Sequence, residues 1–323
     1  MTIVLSGSLA FDYIMNFPGY FEDHILPDRI HVLNVSFLVD SLDRQRGGVA
    51  GNIAYSLGLL GQPCRLVGTV GNDFEEYRAE LEELGIDLSG VVTLDDLVTA
   101  SAFITTDRAD NQITGFFPGA MSCAGEYGID SHLDRVKIGV VSPTAPAAMR
   151  RHVDELKEAG LPFMFDPGQQ VVALSAEDVR AGVEGAYILA ANDYELAMIE
   201  EKLETTRDAI VAQVPVVAIT FGDLGSTLYA EGETYDIPPS EPWRVVDPTG
   251  AGDGYRAGLV AGYTRGINWE ATGRIASTAA AFVVEQKGTQ AHQYTRDEFR
   301  ERFEAEFPDH ADALETLFDD IEN

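Results

Sequence analysis

Short apolar runs alternate with amphipathic stretches along most of this chain, and each run closes on a polar or glycine-containing turn. Residues 2–9 predict a first buried strand, with Asp12 just beyond its end. A strand at 65–70 precedes an amphipathic helix at 73–84, and a strand at 136–141 precedes a helix at 145–159. Further strands are predicted at 162–165, 187–190 and 216–220, then apolar-periodic helices at 251–265 and 269–286 and acidic amphipathic helices to the end. Three strands run into Asp166-Pro167-Gly168-Gln169-Gln170, Asn192-Asp193-Tyr194-Glu195 and Phe221-Gly222-Asp223-Leu224-Gly225-Ser226. In a parallel sheet such turns line up along one edge, where open α/β sheets hold ligands.

Two stretches break this alternation. Residues 13–46 carry Pro18, Gly19 and Pro27 and a short alternation from Val35 to Val39, which predicts an insertion with one or two strands. Thr99–Thr106 and Gln112–Phe117 read as two strands joined by a turn at residues 107–110. Together the insertions can build a small sheet beside the main one. At its end, Phe116 and Phe117 place one ring on each face; either one meets a ligand or both are core.

Two glycine-rich turns stand out. Gly47-Gly48-Val49-Ala50-Gly51-Asn52 opens a helix, but it is neither a P-loop nor a dinucleotide fingerprint, and a tight turn alone accounts for its glycines. Asp247-Pro248-Thr249-Gly250-Ala251-Gly252-Asp253 runs into an apolar helix. Small residues let the amides of Gly250 to Asp253 converge at a helix N-terminus, which favours an anion. A carboxylate there, Asp253, is poorly suited to binding an anion but suited to taking a proton from an attacking alcohol. The alternative is a capped helix with small residues for close packing.

Composition narrows the field. The 323 residues carry 53 Asp+Glu against 22 Lys+Arg, a net charge of −31, and the only lysines are Lys137, Lys157, Lys202 and Lys287. Such a surface disfavours nucleic acid. The acids are spread over helix faces, a pattern tolerated where screening is strong, and this predicts a halophilic protein from a salt-rich cytoplasm. No window approaches a membrane span, and Met1 to Gly7 has no basic residue, so no membrane association is expected. Cys64 and Cys123 allow one disulfide at most and form no metal pattern, which predicts a reducing, cytoplasmic setting. The six histidines show no ligand spacing and are expected at the surface.

Gly47-Gly48-x-x-x-Asn52, Asn192-x-x-Glu195, Thr220-x-Gly222-x-x-Gly225-Ser226 and Asp247-Pro248-Thr249-Gly250-Ala251-Gly252-Asp253 resemble, in order and spacing, the ribokinase-like (PfkB) sugar and nucleoside kinases. The resemblance spans essentially the whole chain. Within the family it is most similar to bacterial-type adenosine kinases, through Ser6-Gly7-Ser8, Phe17-Pro18-Gly19, Leu33 to Asp40, Arg46 to Asn52, Phe116-x-Pro118-Gly119-Ala120-Met121, Asp166-Pro167-x-Gln169-Gln170 and Gly288-Thr289-Gln290. It implies a three-layer α/β fold, with a central mostly parallel sheet flanked by helices and a small β-sheet lid. Residues 1–12, 47–96 and 122–323 would form the nucleotide-binding and catalytic domain, and 13–46 and 97–121 the lid, which in the family often mediates dimerisation.

The implied activity is transfer of the γ-phosphate of ATP to the 5′-hydroxyl of a ribosyl substrate, adenosine first. Asp253 is the implied general base, and the amides of Gly250, Ala251 and Gly252 the anion hole. Ser8, Asp12, Gly47, Gly48, Asn52, Phe116, Gln169 and Gln170 are implied in substrate binding, and Asn192, Thr220, Gly222 and Gly225 in nucleotide binding. Asn192 and Glu195 would position Mg²⁺ through water; their spacing equally fits a helix capping box, and both can hold. Asp247 and Thr249, with the turn near Gly288, resemble a monovalent-cation site suited to K⁺.

One departure concerns the substrate. Adenosine kinases of this type stack adenine between two rings; Phe116 matches one, and Ala102, next to Phe103, stands where the other is expected. A kinase of ribose 1-phosphate or a free sugar is therefore the alternative, with Arg44, Arg46 or Arg108 for an anomeric phosphate. A non-catalytic nucleoside sensor is a further one, against which Asp253 argues. A nicotinamide-dependent dehydrogenase lacks its glycine fingerprint.

Overall fold

A computed structural model describes residues 2–25, 34–109 and 111–319; Pro27, His31, Leu33 and Asp110, invoked above, lie outside the described residues. Strands β1 (Thr2–Ser6), β4 (Cys64–Gly71), β5 (Asp87–Leu94), β8 (Val136–Val141), β9 (Phe163–Phe165), β10 (Ile188–Asn192), β11 (Val216–Thr220), β12 (Ser226–Ala230) and β13 (Glu233–Ile237) form one sheet. Its order is β13-β12-β11-β10-β9-β8-β1-β4-β5. All pairings are parallel except those of β12 with β11 and β13.

Helices cover both faces. Ile3 and Leu5 of β1 point into a core shared with the helices Val49–Leu59, Ala251–Arg265 and Trp269–Val284. Val4 points into a second core, against Pro146–Glu158, Ala176–Gly185 and Asp193–Leu203. Buried on both faces, these strands read as continuous apolar runs.

Four further strands, β2 (Ala10–Asn16), β3 (Ser41–Gly47), β6 (Ala100–Thr106) and β7 (Gln112–Phe117), make a second sheet in the order β3-β2-β6-β7. This is the small sheet expected from the two insertions. It begins earlier than position 13, because the first strand is shorter than residues 2–9. At Ser8 the backbone leaves the ladder and its carbonyl accepts from Ala50 and Gly51 at the start of a helix. Asp12 therefore sits on a strand of the second sheet, not in a turn.

Other differences have local causes. The alternation from Val35 to Val39 forms no strand; Phe37 packs against Phe17 and Phe21, with ring centroids 4.8 and 5.0 Å away, and the strand follows at Ser41. β5 and the β12–β13 hairpin went unpredicted. The hairpin signal lies in Glu231-Gly232, both with positive φ (57° and 80°), a two-residue turn whose twist matches the flanking strands. His152 and His292 are buried, not at the surface: His152 pairs with Ser6 Oγ at 2.5 Å, and His292 lies against Tyr55 and Ser56. Burial lowers the pKa of both rings, that of His292 to about 4. Cys64 and Cys123 are free thiols.

Candidate active site

The C-terminal edge of the parallel strands carries the polar turns together. Asn192 and Thr220 are register partners at the ends of β10 and β11, with Asp166 following β9 and Ser8 following β1. Facing this edge is the N-terminus of the Ala251–Arg265 helix. Between the edge and the small sheet lies a cavity of about 580 Å³. Ser8, Asp12, Gly48, Asn52, Phe116, Gln169, Gln170, Glu195, Thr249, Gly250 and Asp253 all line it.

Of the four amides expected to converge at this helix start, those of Ala251 and Asp253 are engaged by the Pro248 and Gly250 carbonyls, and the start is also closely packed. Gly250 caps it with φ 85°. Gly254, Gly258 and Gly262 lie where an added Cβ would strike the backbone or side chains of the Trp269–Val284 helix. Small residues therefore let the two helices approach on one side and leave amides open on the other. Among the described residues, the N–H groups of Gly250 and Gly252 carry no hydrogen bond, while that of Ala251 closes a turn onto the Pro248 carbonyl at 3.2 Å. Gly252 has a second reason to lack a side chain: a Cβ there would lie 2.6 Å from the Arg256 guanidinium.

Asp253 points from this turn into the cavity, where Asn52 Nδ2 donates to its Oδ2 at 2.7 Å. Burial pushes its carboxyl up to about 6, against the opposing pull of Arg256 and Asn52. Burial likewise raises Asp12 to about 6. Gly48 has φ 87°, and a Cβ would lie 2.6 Å from the Ser8 carbonyl. At Gly47 a Cβ would fall 2.5 Å from Asp12 Oδ2, so Gly47 makes room for that carboxylate. Ser8 Oγ accepts from Val49 N–H, which fixes the helix that carries Asn52.

Asn192 and Glu195 form the capping box: Glu195 N–H donates to Asn192 Oδ1 at 2.7 Å, and Asn192 N–H to Glu195 Oε2 at 2.9 Å. Beside them is a pair that the sequence reading did not single out. Arg256 Nε lies 2.6 Å from Asp166 Oδ2, both side chains almost fully buried, and Arg256 Nη2 lies 3.6 Å from Glu195 Oε2. Burial drives Asp166 up while the guanidinium opposes it. The available signal was a lone arginine inside the apolar run from Gly254 to Gly262. Among the described residues, Asp12, Asp166, Glu195 and Asp253 thus share the cavity with one cation, Arg256.

Not every predicted site residue lines this cavity. Gly47, Ala251, Gly252, Asn192, Thr220, Gly222, Gly225 and Asp247 do not, although they flank it on the same elements. Gly222 (φ 62°) and Gly225 (φ 91°) shape a tight turn after β11, closed by Phe221 N–H to the Gly225 carbonyl at 2.9 Å. Asp247 ties two turns together, accepting from Thr249 N–H at 2.9 Å and Gly288 N–H at 3.1 Å. Of the arginines considered for a sugar phosphate, Arg44 and Arg46 line a neighbouring cavity of about 250 Å³, and Arg108 is exposed beside the β6–β7 turn.

On the small sheet, Ala102 pairs directly with Phe116, and both face the cavity. Phe103 points to the opposite face, where it stacks on Tyr13 with a centroid separation of 5.0 Å. It does not stand in for the missing ring. Met121, on the segment after β7, lines the cavity instead.

Among the described residues, no group of three or more His, Cys, Asp and Glu side chains is gathered to hold a metal ion, and no helix is long and apolar enough to cross a membrane. The family model for pfkB family carbohydrate kinases matches residues 10–296. The chain is 39% identical to the nucleoside kinase of Burkholderia thailandensis solved in complex with inosine, with a TM-score of 0.86 over 95% of this chain and 98% of that one. It is 34% identical to a nucleoside kinase of Methanothermobacter thermautotrophicus, over 93% of this chain and 95% of that protein. It is 27% identical to an ATP-dependent ribose-1-phosphate kinase of Halopiger xanaduensis, over 82% and 88% of the two chains.

Proposed function

The chain belongs to the PfkB family of carbohydrate kinases and is an ATP-dependent nucleoside kinase, and from that premise we propose that adenosine is its first substrate and Asp253 its general base. The observation that carries the mechanism is Asp253 itself, a carboxylate placed beside two unoccupied amides at a helix N-terminus and facing a cavity large enough for a nucleoside. Asp253 takes the proton of the 5′-hydroxyl as that oxygen bonds to the γ-phosphorus. The bond from that phosphorus to the β,γ-bridging oxygen breaks, ADP leaves, and the proton rests on Asp253. The N–H groups of Gly250 and Gly252 take up the charge spread over the transferring group.

Asp12, Gly48 and Asn52 clamp the ribose, since an acceptor and an amide suit vicinal hydroxyls. Phe116 stacks on the base, and Gln169 and Gln170 meet its edge; both line the cavity. Thr220, Gly222 and Gly225 hold the ATP phosphates at the neighbouring strand end. Mg²⁺ would be held here through water, which it sheds reluctantly; Glu195 Oε2 and Asn192 Oδ1 each accept a backbone amide, and one carboxylate oxygen of Glu195 remains. Bound there, Mg²⁺ would neutralise charge on the ATP phosphates. Asp247 fits K⁺ as a holder of the turn, because each of its oxygens keeps a lone pair beyond the amide it accepts.

The small sheet serves as a lid that excludes water. Its outer face exposes Leu42, Phe103, Ile113 and Phe117, an apolar surface that suits a homodimer. Free thiols and the acidic surface suit a reducing, salt-rich cytoplasm. Against ribose 1-phosphate stands the charge of the cavity: among the described residues Arg256 is the one cation lining it, and it is engaged by Asp166 and Glu195. A substrate panel at high KCl, read by ADP release, tests the assignment. Turnover of adenosine is expected, and turnover of ribose 1-phosphate but not of nucleosides would overturn it.

A further inference from the structure

Gln290 is buried in the turn that follows Gly288, far in sequence from the two side chains to which it donates. The turn is held from two sides: Gly288 N–H donates to Asp247, and Thr289 Oγ1 to the Arg46 carbonyl at 3.1 Å. From there Gln290 Nε2 donates to Asn52 Oδ1 at 2.9 Å and to the Tyr77 hydroxyl. Tyr77 donates in turn to the Gly47 carbonyl at 3.0 Å, so towards Gln290 it can only accept. Asn52 Nδ2 donates to Asp253 Oδ2, and an ionised carboxylate offers no proton back. Every donor in this chain is thereby fixed. Asn52 must present nitrogen to Asp253 and oxygen to Gln290, and Gln290 must spend both of its N–H bonds.

The remaining atom of that amide is informative. Gln290 Oε1 is buried and has no hydrogen-bond partner among the described residues. A side chain serving the fold alone is poorly matched to a place where one polar end stays unsatisfied. Its donors, not its bulk, are what the site uses.

We propose that Gln290 is a positioning residue for phosphoryl transfer: through its amide it holds Asn52 in the rotation that donates to Asp253, and so orients the base carboxylate towards the substrate hydroxyl. The inference rests on Asp253 acting as the base. The other charged groups around that carboxylate are Arg256 on its own helix, Glu195 on the Asp193–Leu203 helix, Asp166 after β9 and Asp12 on β2. None of them hydrogen-bonds to Gln290, whose partners are Asn52 and Tyr77.

Two variants of similar shape test it. Gln290→Met removes both donors, and Gln290→Glu replaces them with acceptors that draw Asn52 Nδ2 away from Asp253. Turnover at neutral pH should fall by about tenfold in each, because small misplacements of a reacting group are costly, with nucleoside KM changed much less. The acidic limb of kcat/KM against pH should move upward, more for Gln290→Glu than for Gln290→Met, by about one pH unit at most. A packing role predicts no such order. Wild-type turnover and an unmoved acidic limb in both variants overturn the inference; if Gln290→Glu does not fold, Gln290→Met alone decides by the same two readings. Asp253→Asn separates this from the underlying assignment. An inactive Asp253→Asn beside unaffected Gln290 variants removes only the role of Gln290, whereas an active Asp253→Asn removes the base and the inference with it.

Discussion

Asn52 and Asp253 stand 201 positions apart in the chain, yet the Asn52 amide donates to the Asp253 carboxylate at 2.7 Å. That bond ties the start of one helix to the start of another across the cavity. It also defines what Asp253→Asn removes: the proton acceptor is lost and the shape is kept. Turnover should fall by about a hundredfold or more, the usual scale of a general base. Nucleoside and ATP affinity, read by calorimetry, should stay within severalfold. A variant near the wild-type rate would dismiss Asp253 as the base.

The acidic limb of kcat/KM should fall near the raised pKa of that group, about 6. Below it the carboxyl is protonated and cannot accept the hydroxyl proton; above it the base is competent. Rates across pH 5 to 8 with saturating ATP would locate the limb. A limb near 4, the ordinary value for an exposed carboxyl, would show that burial does not govern this residue.

The same burial makes Asp253 a liability to the fold. Its folded pKa is raised above the ordinary 3.8, so the contribution it makes while protonated is fully present below about 4 and lost as pH rises through about 6. Asp253→Asn should therefore raise stability at pH 7 to 8 and make little difference below pH 4. The face of the carboxylate turned to the open cavity stays wet, which trims the gain to about 1–2 kcal/mol. Melting curves of both proteins across that range would check it, and an equal gain at every pH would assign the effect to packing instead.

The sequence exposed the parts of this site that local chemistry requires. Gly48 and Gly250 are glycines because φ is 87° and 85° there, and the apolar helix after Gly250 was bounded at residues 251–265, as observed. The polar strand ends aligned because parallel strands share an edge. What the sequence concealed depends on pairing across long separations. Arg256 and Asp166 meet because the first turns of the Ala251–Arg265 helix come to the end of β9, 90 positions away in sequence, and nothing local to either residue announces it. Gln290 was visible only as part of a resemblance, since its partners Asn52 and Tyr77 lie more than two hundred positions away. The insertion over residues 13–46 was legible as one or two strands, and β2 and β3 are there, but the alternation from Val35 to Val39 is not one of them because Phe37 packs on other aromatics.

Arg256 and Asp166 make a further prediction. Arg256→Met leaves Asp166 buried without its partner, and breaking a buried pair from one side destabilises by about 3–5 kcal/mol. Replacing both, as Arg256→Met with Asp166→Leu, should recover much of that stability while leaving turnover low, because Glu195 also loses its neighbour. Denaturant titrations of the single and double variants measure the coupling. Additive losses would mean that the two side chains are energetically independent.

Phe116 and Ala102 are directly paired across β6 and β7, with one ring facing the cavity where two could fit. Phe116→Ala should weaken nucleoside binding by about 1–3 kcal/mol, the value of one stacked base, and raise KM with little change in kcat. Ala102→Phe should tighten adenosine and leave a free sugar unaffected. Equal effects on both substrates would place the base away from Phe116.

The acidic surface can be tested without touching the site. With 53 acidic against 22 basic residues, the folded chain carries a self-repulsion that expansion relieves. The helix Glu75–Glu83 shows the pattern locally: Glu75, Glu76, Glu80, Glu82 and Glu83 share it with Arg78, the one basic residue on the helix. At 0.1 M salt, charges within about 10 Å of each other still interact, and at 1 M that range shrinks to about 3 Å. Screening should therefore stabilise the protein steeply up to roughly 1 M KCl and more gently beyond. For a chain of this size each kcal/mol moves the melting temperature by about 2 °C, so a rise of about 10 °C between 0.1 and 2 M would reflect several kcal/mol. KCl is the salt to use, since a strongly excluded anion such as sulfate would stabilise any protein by favouring burial. A melting temperature that stays flat across the KCl series would remove the salt-rich cytoplasm from the reading of this chain and leave an ordinary acidic kinase.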